Sequence, residues 1–265
     1  MANLIVAGAA GRMGKMLIAL AARDPAHRIV GAIEAPGHPS IGADAGELAG
    51  AGKLGIAVSS DYESIARPDT VTLDFTSAAA SLAHLEVAAR TGAAIVIGST
   101  GFTPEMETRT CELAEKTRTI IASNTSVGVN VLLRIVAEVA AILPDFDAEV
   151  IELHHRTKLD APSGTALSLA RAVAAARRED LPANIVYGRK GITGTRPQSQ
   201  IGVVSLRAGD AVGDHTVIFG GPGERLELIH RAHSRESLAC GAIRAAAWLV
   251  DRAPGLYTMR DVLGL

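Results

Sequence analysis

Aromatic residues are scarce: Phe, Tyr and Trp make up 3% of 265 residues, too few to stack a run of unpaired bases. A basic excess is missing too. Twenty-six Lys and Arg face 28 Asp and Glu, a net charge of −2, so no field is available to hold a polyanion. Together these absences argue against nucleic acid as a partner. Cysteine is confined to Cys111 and Cys240, far apart and outside any CxxC. That excludes a zinc ribbon or a disulfide framework and leaves both thiols as expected small buried hydrophobes. No run reaches the about 18 consecutive apolar residues of a membrane span; the most apolar, Leu132 to Leu143, is broken by Arg134 and Glu138. Met1 to Val6 places no basic residue ahead of its apolar ones, so no targeting segment is expected and a soluble, cytoplasmic protein is. What is present is 48% hydrophobic content, which suits a globular core in one large or two small domains.

The first half alternates short apolar runs with helical spacing. Leu4–Ala7, Arg28–Ile33, Thr70–Phe75, Ala94–Ile97 and Arg118–Ala122 read as strands; Met13–Arg23, Ala78–Thr91 and Pro104–Lys116 read as helices. That alternation predicts βαβ units and a parallel sheet. Gly37–Gly55 is glycine-rich and reads as a long mobile connection. After about residue 125 the order changes. Val129–Leu143 reads as a helix, Glu149–Arg156 as a strand and Thr165–Arg178 as a helix. Three runs, Ile201–Ala208, His215–Phe219 and Arg225–Ala232, follow with short turns between them and suggest antiparallel neighbours. A helix from Glu236 to Val250 closes the chain. The fold class is therefore α/β: a parallel-sheet domain, then a smaller α/β domain whose open sheet has one face for its own helices and one for another copy.

Gly8-Ala9-Ala10-Gly11-Arg12-Met13-Gly14 follows the first strand and opens the first helix. The spacing is GxxGxxG, a variant of the dinucleotide fingerprint. Glycines allow a tight turn and close approach to a pyrophosphate, and free helix N–H groups hold its oxygens. Arg12 adds a cation. Glu34 ends the second strand 20 positions after Gly14, where a carboxylate accepts both ribose hydroxyls of NAD. Ala35 follows it, so the place where an Arg would neutralise a 2′-phosphate carries no charge, and NADH is expected to serve at least as well as NADPH. Gly98-Ser99-Thr100-Gly101 and Ala122-Ser123-Asn124-Thr125 end two further strands on the same sheet edge.

The densest chemistry lies in Glu152-Leu153-His154-His155-Arg156-Thr157-Lys158-Leu159-Asp160-Ala161-Pro162-Ser163-Gly164-Thr165. Ser163-Gly164-Thr165 opens a helix and suits an anion. His155 and Lys158 add positive charge, so a small dicarboxylate fits. His154 or Lys158 can hand on a proton. A metal site from His154, His155 and Asp160 is disfavoured, because adjacent strand residues point to opposite faces; no metal is expected. A capped helix with a solvated basic loop, or plain core histidines, remain alternatives on these residues alone.

The sequence resembles the 4-hydroxy-tetrahydrodipicolinate reductase family of lysine and diaminopimelate biosynthesis from Gly8 to its end. The anchors are GAAGRMG (8–14), GSTGF (98–102), SVGVN (126–130), ELHHRTKLDAPSGTAL (152–167), RAGDAVGDHTVIF (207–219) and MRDVL (259–263). The resemblance implies a homotetramer, with a Rossmann domain at 1–125 and 236–265 and a substrate-binding and tetramerisation domain at 126–235. It implies NADH or NADPH as cofactor, hydride delivery to C4 of a small cyclic dicarboxylate and loss of water. By motif, Gly8, Ala9, Ala10, Gly11, Arg12, Met13, Glu34, Gly98, Ser99, Thr100, Ala122, Ser123, Asn124 and Thr125 fall on cofactor positions. His154 falls on the proton donor/acceptor, Lys158 on the proton donor, and His155, Gly164 and Thr165 on substrate positions, with Ser163 beside them. Ala35, Ser99 and Thr125 depart from the residues common in the family. Another two-domain oxidoreductase acting on a sugar or amino acid would share the glycine turn without needing the SGT anion site. A dinucleotide sensor would bind NADH without turnover.

Overall fold

Parallel strands buried on both faces need near-continuous apolar runs, and the first part of the chain supplies them. The structure, a computed structural model, describes residues 1–265. In chain order its first elements are β1 (Ala2–Ala7), α1 (Arg12–Ala21), β2 (His27–Ile33), α2 (Ala45–Ala49), β3 (Val58–Ser59), β4 (Thr70–Asp74), α3 (Ala78–Thr91), β5 (Ala94–Ile97), α4 (Pro104–Ala114) and β6 (Arg118–Ile121). Next come α5 (Val127–Ile142), β7 (Asp147–His154), α6 (Gly164–Arg177), α7 (Leu181–Asn184), β8 (Ile185–Val186), β9 (Ile201–Arg207), β10 (Gly213–Gly221) and β11 (Glu224–Ala232). The chain ends in α8 (Glu236–Leu249), β12 (Gly255–Tyr257) and α9 (Met259–Leu263). It divides into two compact units, Met1–Val127 with Glu236–Gly264, and Gly128–Arg235 with Leu265.

The first unit holds a seven-stranded sheet in the order β12-β6-β5-β4-β1-β2-β3, with every pairing parallel. Every residue of β4 and β5 is buried, and each such Leu or Ile contributes about 1.5–3 kcal/mol. Local signals set the helix limits. Ser77 and Thr103 cap α3 and α4, Pro104 takes a first-turn position, and Gly92 ends α3 at φ +78°. Because the strands are parallel, the turns after β1, β2, β4, β5 and β6 share one sheet edge. The chain leaves β1 toward β2 on one side and returns at β4 on the other, and ligands of such sheets sit at that reversal.

The expected mobile connection at Gly37–Gly55 is instead ordered around one carboxylate. Asp44 accepts backbone N–H groups from Gly46, Glu47, Leu54, Gly55 and Ile56, capping α2 and closing the loop behind it. These bonds, Leu54's first, hold its pKa below the ordinary value. Cys111 and Cys240 also differ from expectation: both are exposed, on the outward sides of α4 and α8.

The second unit holds a five-stranded mixed sheet, β11-β10-β7-β9-β8. The expected antiparallel neighbours are correct for β10 and β11 but not for β9 and β10. Strand β7 lies between those two, parallel to β9 and antiparallel to β10. The five residues from Ala208 to Val212 pass over the end of β7, tied down by Ala208 N–H to His154 O and Arg156 N–H to Gly209 O. From Ala148 onward, strand β7 alternates buried and half-buried residues. Its buried side, with Val203, Val217 and Phe219, packs on Leu132, Val136, Leu169 and Val173 of α5 and α6. The other side carries Leu206 and Ile229, 46% and 45% exposed.

Helix α1 meets β1 through Gly14, where a Cβ would lie 2.1 Å from the Gly8 carbonyl oxygen and 2.7 Å from Ala9 Cα. Overpacking of this kind costs about 1–3 kcal/mol, which is about 2–4 °C of Tm per kcal/mol in a protein of this size. Thermal unfolding should therefore show Gly14→Ala melting several degrees below wild type. Gly220→Ala, whose added methyl meets nothing within 4 Å, should not lose stability.

Candidate active site

The glycine turn sits at the sheet reversal. Gly8 has φ +68°, a conformation that favours glycine, and its carbonyl accepts the Gly11 N–H at 2.9 Å. Gly11 precedes α1 and caps it with no side chain, so the first-turn N–H groups of α1 have no side-chain cap. Glu34 reaches back to this turn: Oε1 accepts the Ala10 N–H at 2.8 Å and Oε2 the Ala35 N–H at 3.3 Å. Each oxygen keeps a further lone pair. The turn that an added Cβ would fill, the open helix start and the nearby carboxylate fit a dinucleotide.

Two other turns share the edge. Ser99 is buried, its hydroxyl 2.7 Å from that of Ser81, while Thr100 is exposed. Thr125 is buried and donates its hydroxyl to Leu238 O at 2.6 Å in α8. Asn124 Oδ1 accepts the Ser126 N–H. The Ser99 and Thr125 side chains thus build the turns, whereas Gly98, Thr100, Ala122 and Ser123 line them.

In the second unit the chemistry gathers where β7 ends beside the start of α6. Glu152 and His154 lie two apart on one face of β7 and both are buried. His154 Nδ1 bonds Glu152 Oε2. Arg207, opposite His154 on β9, gives one nitrogen to both Glu152 oxygens at 2.9 and 3.0 Å and the other to Asp160 O at 2.7 Å. The Ser163 N–H reaches Glu152 Oε1 at 3.3 Å. Burial opposes ionisation of Glu152, but the bonds from His154 and Arg207 outweigh it and hold its pKa below the ordinary value. For His154, burial lowers the pKa and Glu152 opposes that. The imidazole is oriented by a fixed carboxylate at Nδ1, and Nε2 is left to exchange a proton.

Ser163 caps α6 by accepting the Ala166 N–H, and its Oγ lies 3.1 Å from His215 Nε2. The Ser163 hydroxyl therefore serves the fold, and the exposed Gly164 is the open part of the helix start. Lys158 Nζ is 2.7 and 2.8 Å from the two Asp160 oxygens. His155 follows the end of β7, its Nδ1 2.8 Å from Thr157 Oγ1. Sequence reasoning missed Glu152, Arg207 and His215. The i, i+2 spacing of Glu152 and His154 on one strand was the available signal. Arg207 and His215 enter only through strand register.

An acid–imidazole pair at a helix start, in a chain that also folds a glycine-turned parallel sheet, defines the class: an oxidoreductase with a Rossmann-type unit. Family models narrow it. Residues 2–125 match "Dihydrodipicolinate reductase, N-terminus" and residues 128–263 match its C-terminus. The chain belongs to the dihydrodipicolinate reductase family. It is 49% identical over 266 residues to the 4-hydroxy-tetrahydrodipicolinate reductase of Citrifermentans bemidjiense, covering 100% of both chains. It is 50% identical over 260 residues to that of Magnetococcus marinus, covering 98% and 97%. Among solved structures, a dipicolinate-bound dihydrodipicolinate reductase from a Paenisporosarcina species aligns with TM-score 0.77 at 25% identity over 97% of each chain. An amine dehydrogenase from Mycobacterium smegmatis, at 16% identity and TM-score 0.61 over 97% and 95%, shares the fold alone.

His215 gives a pH test. Burial first, then the neighbouring His154, pushes its pKa down to about 4, below an unfolded value of about 6.5. The unfolded state then binds more protons between these values, so the stabilisation is whole above pH 6.5 and is lost as pH falls toward 4. The slope per group reaches about 1.4 kcal/mol per pH unit. Urea unfolding from pH 7 to 4.5 should show wild type losing stability more steeply than His215→Gln; parallel slopes would contradict this.

Proposed function

We propose that the protein reduces 4-hydroxy-tetrahydrodipicolinate to tetrahydrodipicolinate, with loss of water, in lysine and diaminopimelate biosynthesis. Family membership supports the reaction. The observation that carries the site assignment is the His154 imidazole held by the buried Glu152 beside the start of α6.

A reduced nicotinamide supplies the hydride when bound. Gly8, Ala9, Ala10, Gly11, Arg12 and Met13 would hold its pyrophosphate, and Glu34 would take its ribose hydroxyls. The turns at Gly98–Thr100 and Ala122–Thr125 would hold the nicotinamide end. NADH serves at least as well as NADPH, because Ala35 offers no charge to a 2′-phosphate. The substrate is a dianion. The N–H groups of Gly164 and Thr165 and the His155 imidazole bind its carboxylates, with Ser163 fixing the helix start. Hydride reaches C4 as hydroxide leaves, so the balance needs one proton. Lys158 and His154 provide it, and Glu152 stabilises the imidazolium form of His154.

In a homotetramer a second copy would cover the sheet face that carries the exposed Leu206 and Ile229. No helix is long and apolar enough to cross a membrane.

The test follows NADH and NADPH oxidation by the purified protein, with substrate made in the cuvette from pyruvate and aspartate semialdehyde by a separate synthase. Turnover with NADH at least as fast as with NADPH is expected. His154→Ala and Lys158→Ala should each lower kcat by about 10²–10⁴-fold with NADH affinity unchanged. NADH binding without oxidation would make the protein a dinucleotide sensor instead.

A further inference from the structure

Asp74, the last residue of β4, is 0% exposed. Its register partners are Ala7, just before the glycine turn, and Ile97, just before the Gly98 turn. It therefore stands between two of the turns that the proposed function assigns to the dinucleotide. One oxygen, Oδ1, accepts the Thr76 N–H at 3.0 Å and the Thr76 hydroxyl at 2.6 Å. The other, Oδ2, takes His84 Nδ1 of α3 at 2.7 Å. The Thr76 hydroxyl lies 3.4 Å from that of Ser81, which is 0% exposed and meets Ser99 Oγ at 2.7 Å. The backbone closes the same circuit, since Gly98 N–H donates to Asp74 O at 2.8 Å.

Packing shows what this chain of bonds holds apart. Thr76 Cγ2 lies 3.0 Å from where a Gly8 Cβ would stand, and the Phe75 ring 2.1 Å from where a Gly98 Cβ would stand. Residues 74–76 are thus wedged between the two turns, and neither turn has room to shift toward them. A charged, fully buried carboxylate is costly to keep unless it is well bonded; here Thr76 and His84 bond it, Ser81 links Thr76 to Ser99 in one turn, and Thr76 Cγ2 packs against Gly8 in the other.

We infer that Asp74 is a positioning residue for the dinucleotide: through Thr76 and Ser81 it sets the separation of the Gly8–Gly11 and Gly98–Gly101 turns. The inference rests on the proposed cofactor reading. Neither Asp74 nor Ser81 is exposed to a ligand, so any effect on affinity is transmitted through the turns.

Asp74→Asn keeps the shape but presents an acceptor on one side only. Ser81→Ala removes the bridge to Ser99 without disturbing a charge. If the whole contribution of one buried hydrogen bond passed into the bound state, it would change a binding constant by about tenfold. NADH Kd, measured by quenching of protein fluorescence, should rise about tenfold in Asp74→Asn and severalfold in Ser81→Ala. At saturating NADH, kcat should stay within about twofold and the KM for the dicarboxylate should not move. Unchanged NADH Kd in a folded Ser81→Ala, with only Tm lowered, would overturn the inference and leave the cofactor reading standing. Failure of the wild type to bind NADH or NADPH would overturn both.

Discussion

The second unit depends on one buried charge. Glu152 has no exposed surface, and desolvating a carboxylate costs several kcal/mol unless partners replace the lost water. Three groups supply them: Arg207 from β9, His154 from Glu152's own strand β7, and the Ser163 N–H from the start of α6; Arg207 also donates to the Asp160 carbonyl. The loop from His155 to Pro162 is therefore pinned at both ends by groups that meet on Glu152. Lys158 rides on that loop, its ammonium bonded to Asp160.

The first unit uses close approach where the second uses charge. Gly8 and Gly14 let β1 and α1 touch, and Gly241 lets α8 do the same, since a Cβ there would lie 1.8 Å from Thr125 O. Thr125 then donates its hydroxyl back to α8. The outcome is a sheet edge whose turns are held by close packing and by their own backbone bonds.

Much of this was legible in the residues. Buried parallel strands announce themselves as apolar runs, and the glycine turn and Glu34, both readable as motifs, meet in the fold through the Ala10 N–H. His154 and Lys158 stood out because imidazole and amine cluster before a helix start. What stayed hidden was non-local. Asp44 binds N–H groups up to 12 residues further along the chain, which no local pattern shows, so Gly37–Gly55 read as loose. Turn lengths gave the pairing of β10 with β11 but could not reveal that β7 lies between β9 and β10. Arg207 reaches Glu152 only because of that insertion. Glu152 itself was readable, two places before His154 on one strand face, yet a carboxylate inside a strand gives no sign that it is buried.

If the proposed proton exchange at His154 depends on the Glu152 carboxylate, the pH dependence of kcat should separate wild type from Glu152→Gln. Removing the carboxylate takes away what supports the His154 imidazolium, so the limb that reports this group should move to lower pH and kcat should fall, while the KM for NADH stays put. A wild type that does not reduce the cyclic dicarboxylate, or a variant whose profile overlays it, would contradict the account.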